Sequence, residues 1–157
     1  MTKSPKRLAG EREFLGLLPY ICTMTNQFKY FQPKSSDDIK CSKDCMIRSV
    51  TIATGRSYND VYQLMKARGW RTKRSSSDKD WERQITDTLK ELGFKATRHS
   101  FPGIKGQPRK TAMTMPSTGT WILRVSKHVA CLKDGVLLDT FDCRQSCVYF
   151  AWEIHPA

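Results

Sequence analysis

The chain has 157 residues and a net charge of +12, long enough for one packed core and too short for two ordinary domains. Its apolar stretches, such as Trp121 to Val125, are far shorter than the roughly 20 residues of a membrane span, and the basic start is followed by Glu11 and Glu13 instead of an apolar export segment. Six cysteines without an export signal read as reduced thiols, metal ligands or one nucleophile, so a cytoplasmic protein with no membrane partner is expected.

Residues 1 to 27 are expected to form an N-terminal arm, flexible or loosely docked, in which Leu15, Leu17 and Leu18 end at Pro19. Residues 28 to 157 are expected to form a single domain. Gln27 to Phe31 is aromatic and β-prone, and Pro33, Ser35, Ser36, Asp37 and Asp38 then break it into a loop.

A helical pattern starts at Asp44, a good N-cap residue type, continues through Met46, Val50 and Ala53, and stops at Gly55. Ser57 and Asp60 have the spacing of a helix start, with Val61, Leu64, Met65 and Arg68 on one side before Gly69. After the polar stretch 71 to 80, Trp81, Ile85, Leu89 and Leu92 predict a third helix ending at Gly93.

Phe94 to Phe101 reads as a strand, and residues 102 to 119, with three prolines and three glycines, as a long surface loop. Trp121 to Val125, Val129 to Leu132, Val136 to Leu138 and Val148 to Ile154 are short β-type runs. Helices first and strands later predict an α+β layer structure with an antiparallel sheet.

Cys45 opens the first helix, where unpaired N–H groups and the positive end of the helix dipole favour a thiolate over a thiol. The plain alternative is a small buried thiol on a core helix. Among the three histidines, His128 begins an apolar strand, while His99 follows basic residues and His155 lies near the end.

Asp134-Gly135 is a type I′ hairpin signal that pairs Lys133 with Val136, Leu132 with Leu137 and Cys131 with Leu138. Continued, this register makes Asp139 a diagonal neighbour of His128. A carboxylate there holds the imidazole tautomer and favours the imidazolium. Asp142 is the alternative orienter, reached only if the strand bulges.

Two other readings use the same residue types. Cys41 with Cys45, and Cys143 with Cys147, share C-x3-C spacing, which raises a four-thiolate zinc site. Structural zinc pairs more often sit on Gly-rich knuckles, so no metal and no cofactor are expected. Arg68, Arg71, Lys73 and Arg74, and Lys105, Arg109 and Lys110, form basic clusters able to contact phosphates or acidic protein, with Trp70 and Trp81 available to stack.

The stretch DCMIRSVTIATGRSYNDVYQLM, preceded by FKYFQP, resembles the start of small phage-encoded proteins with a papain-like cysteine-peptidase fold. KHVACLKDGVLLDTFD resembles the His strand, hairpin and Asp strand of that group, in matching order over roughly residues 28 to 154. The resemblance implies Cys45 as nucleophile, His128 as base and Asp139 as orienter, with acyl-enzyme chemistry on an amide or isopeptide bond.

The same resemblance implies an oxyanion-stabilising Gln some six residues before the nucleophile, where this chain has Ile39. The Cys45 backbone N–H would supply one donor, and Gln32 or Gln27 would have to supply the second. The expectation is therefore a papain-like cysteine hydrolase acting on a host or phage protein in the host cytoplasm. The alternative is a non-catalytic host-interaction protein that binds nucleic acid or an acidic protein through its basic surface.

Overall fold

A computed structural model describes residues 26–33, 44–70 and 78–156. Residues 1–25 of the expected 1–27 arm, Ile39, Cys41, Arg71, Lys73 and Arg74 lie outside the described residues.

The described elements are β1 (Gln27–Tyr30), α1 (Cys45–Thr54), α2 (Tyr58–Ala67), α3 (Asp78–Glu91), β2 (Phe94–Ser100), β3 (Thr120–Val125), β4 (His128–Lys133), β5 (Val136–Asp139) and β6 (Phe150–Pro156), with a 3-10 turn at Ala112–Thr114. The α+β class is as expected. The sheet is not purely antiparallel: its six strands run in the order β1-β5-β4-β3-β6-β2, and β1 lies parallel to β5. Parallel neighbours need a long connection, and here it carries the three described helices and three of the six strands.

The helix limits follow local chemistry. Gly55 takes the left-handed conformation that stops α1 at φ 71, and its N–H bonds the Thr51 carbonyl. The Ser57 side chain accepts the Asp60 N–H and starts α2. Asp44 precedes α1 but makes no side-chain cap; its carboxylate is drawn instead to Arg48 and to the Tyr58 hydroxyl. The third helix begins at Asp78, before Trp81, because the polar stretch supplies its first turn.

The hairpin pairs Lys133 with Val136, Leu132 with Leu137 and Cys131 with Leu138, and Asp134 and Gly135 both have positive φ, 48 and 79, the backbone that a type I′ turn requires.

Successive strand residues face opposite sides of the sheet, and each side is buried. Ile122, Val129, Cys131, Trp152 and Ile154 pack on Ile47, Val50, Val61, Met65, Ile85 and Leu89 of the helices. Trp121, Leu123, Val125, Ala130, Leu132 and Leu137 face the other way, onto Ala112, Met115, Cys143 and Val148.

The stretch 102 to 119 is thus only partly a surface loop, since Ala112 and Met115 are buried core residues. The buried Asn26 side chain donates to the carbonyls of both, at 2.9 Å each, and Thr111 bridges to Cys147. Irregular segments therefore cover the sheet face that the helices leave open.

Candidate active site

Three elements converge at one end of the sheet. α1 lies across β4, fixed by Ser49 Oγ donating to the Val129 carbonyl at 3.1 Å, so its first residue, Cys45, stands beside the first residue of β4, His128. The hairpin then returns Asp139, the last residue of β5, to the same end. As the opening residue of α1, Cys45 has a backbone N–H with no acceptor within the helix.

His128 Nε2 is hydrogen-bonded to Asp139 Oδ2, and the His128 side chain also hydrogen-bonds Cys45. Burial opposes the charge on His128 and is the largest single influence. The hydrogen bonds of its ring to Asp139 and Cys45, and their attraction, together outweigh it, and His128 is raised to about 9.

Asp139 is buried and multiply held. Its Oδ1 accepts the Thr140 N–H at 2.8 Å and faces Arg48 Nη2 at 3.4 Å, while its backbone carbonyl accepts the Phe31 N–H at 3.0 Å. A buried carboxylate requires such partners to stay charged. Arg48 also ion-pairs with Asp44, whose second oxygen accepts the Tyr58 hydroxyl at 2.6 Å. Sequence reasoning missed this Asp44–Arg48–Asp139 chain, although the i,i+4 spacing of Asp44 and Arg48 was a readable signal.

Phe141 was also missed. It is 60% exposed and stands edge-on to the His128 ring, with centroids 6.2 Å apart.

Asp142 does not join this group. It is exposed and bound twice by the Arg144 guanidinium, which holds its carboxyl below the usual carboxylate range. No bulge turns it inward. Gln32 is exposed and directs its side-chain amide at the carbonyl of Pro33, 3.5 Å away. Gln27 lies at the opposite end of β1, paired with Val136.

The described cysteines are all free. Burial pushes Cys131 and Cys143 up to about 12, so both are thiols near neutrality. The four-thiolate site does not assemble from the described members: Cys143 packs in the second core, Cys147 pairs with Thr111, and Cys45 meets His128. A different donor set exists, in which atoms of His128, Asp139 and Cys143 lie within 4.8 Å of one another.

The basic residues divide. Arg68 is consumed by ion pairs to Glu91 and Asp87 of α3. Trp70 is buried edge-on to Tyr62, and Trp81 carries the Arg124 guanidinium 4.3 Å from its ring centroid, so both expected stacking platforms are occupied. Lys105 and Arg109 are exposed and Lys110 is half-buried. No helix in the described residues is long and apolar enough to cross a membrane.

No protein-family model matches the chain, and no match to a curated protein or a solved structure was found.

Proposed function

We propose that this chain is a papain-like cysteine hydrolase of phage type, cleaving an amide or isopeptide bond of a host or phage protein in the host cytoplasm. The observation that carries the reading is that His128 meets both a buried carboxylate and the thiol of Cys45 at a helix start.

In this mechanism Cys45 Sγ attacks the carbonyl carbon as a thiolate, and the His128 imidazolium gives its proton to the departing amine. The thioester left on Cys45 is hydrolysed by water, whose proton His128 accepts. Asp139 keeps the ring oriented and favours its charged form. The Cys45 backbone N–H is the first oxyanion donor.

A non-catalytic protein on the same scaffold is the second reading. Its support is the position of Gln32, whose amide is turned to Pro33. Loss of one oxyanion donor costs about two to three orders of magnitude in rate.

The test is alkylation by iodoacetamide from about pH 5 to about pH 9, read by mass spectrometry. Cys147, half-buried like Cys45, is the internal reference. Labelling of Cys45 that outruns Cys147 at the acid end and collapses in His128→Ala supports the hydrolase. Equal labelling of the two cysteines, unchanged in the variant, removes it and leaves the binding protein.

A further inference from the structure

A cleft of about 500 Å³ lies at the turn between β3 and β4, lined by Phe101, Gly103, Arg109, Lys127, Tyr149 and Phe150, among others. It continues into a second hollow of about 500 Å³ that shares Phe101 and Arg109 and adds Lys110. Among the described residues, neither hollow has an acidic residue in its wall. The cleft contains the Ser126–Lys127 turn, which leads directly into His128.

The cations are held by structure. Arg109 lies over the Tyr149 ring at 5.7 Å and Lys110 over Phe101 at 5.7 Å. Lys110 Nζ also donates to the Thr114 carbonyl at 2.9 Å. Gly103 forms the bed for Arg109, because a Cβ built there would collide with the guanidinium. Arg124 lines the inner wall and donates to the His128 carbonyl at 3.4 Å.

We infer that this cleft binds an acidic stretch of polypeptide, placing carboxylates against Arg109, Lys110 and Lys127 on one side of His128. The inference rests on the hydrolase reading and names its substrate class. A channel for single-stranded nucleic acid needs free aromatic faces for bases. Here Tyr149 and Phe101 already carry Arg109 and Lys110, and Arg98 covers Phe150 at 4.4 Å, so the cleft offers N–H donors more than stacking platforms. Such donors match carboxylates.

The test uses Cys45→Ser protein, so binding is read without hydrolysis. Fluorescence anisotropy at low ionic strength compares labelled oligoglutamate, oligoglutamine and an oligothymidylate of equal charge. Arg109→Glu and Lys127→Glu are expected to weaken oligoglutamate by about tenfold each, while Lys95→Glu, on exposed β2, weakens it by less than about twofold. Gly103→Ala, which displaces Arg109 without changing charge, is expected to weaken it several-fold.

Equal losses from Lys95→Glu and the cleft variants would overturn the inference in favour of diffuse attraction, as would absence of oligoglutamate binding. Tighter oligothymidylate binding lost in the same variants would overturn it in favour of nucleic acid. If the cleft binds oligoglutamate while Cys45 labels no faster than Cys147, the hydrolase reading fails and the acidic-peptide site stands.

Discussion

Arg48 of α1 and Asp139 of β5, 91 residues apart in sequence, meet at 3.4 Å, and the same guanidinium holds the Asp44 carboxylate. The two carboxylate side chains are 4% and 6% exposed. Arg48→Met therefore takes one partner from each of two buried carboxylates, and the expected loss is about 3 kcal/mol in urea unfolding. Tyr58→Phe removes a single hydrogen bond to Asp44 and is expected to cost about 1 to 2 kcal/mol.

His128 makes folding stability depend on pH in a defined direction. Its ordinary value of 6.5 rises to about 9 in the folded chain, so between these values the folded state binds the extra proton. The contribution is complete below pH 6.5 and disappears as pH rises through 9. It amounts to about 3 kcal/mol. Urea midpoints measured across that window should fall for the native chain more steeply than for His128→Gln.

The two aspartates should separate cleanly in the alkylation assay. Asp139→Asn removes the carboxylate from His128 Nε2 and is expected to slow Cys45 labelling at acid pH by about tenfold or more. Asp142→Asn breaks only an exposed pair with Arg144 and should leave the rate within about twofold. Equal effects would move the orienting role away from Asp139.

Gly135 sits at φ 79, and a Cβ there would lie 3.2 Å from the Ser117 carbonyl and 3.4 Å from Asn26 Oδ1. Gly135→Ala is expected to cost about 1 to 2 kcal/mol through backbone strain alone, read as a lowered melting temperature. Because the hairpin sets the position of Asp139, the same variant should also slow Cys45 labelling.

The sequence made some of this legible and hid the rest for physical reasons. Asp134-Gly135 specifies a local turn, and a turn fixes register, so the approach of Asp139 to His128 followed from counting along two strands. The pairing of β1 with β5 was not legible, because alternation marks a strand without naming its neighbour. Asp44 looked like a helix cap because capping chemistry is local, whereas Arg48 and Tyr58 outbid the helix end through packing. Trp70 and Trp81 looked available because exposure is a property of the fold.

The parallel contact between β1 and β5 also sets the order in which the molecule can come together. The Phe31 N–H donates to the Asp139 carbonyl, and Cys45 meets an imidazole that is hydrogen-bonded to the Asp139 carboxylate. During synthesis at about 5 to 20 residues per second, roughly 90 residues separate the emergence of the sulfur from that of its remote carboxylate, an interval of about 5 to 20 s. Throughout it the growing chain carries the thiol without that carboxylate, so any reactivity of the pair is withheld until the strand that bears Asp139 has been made.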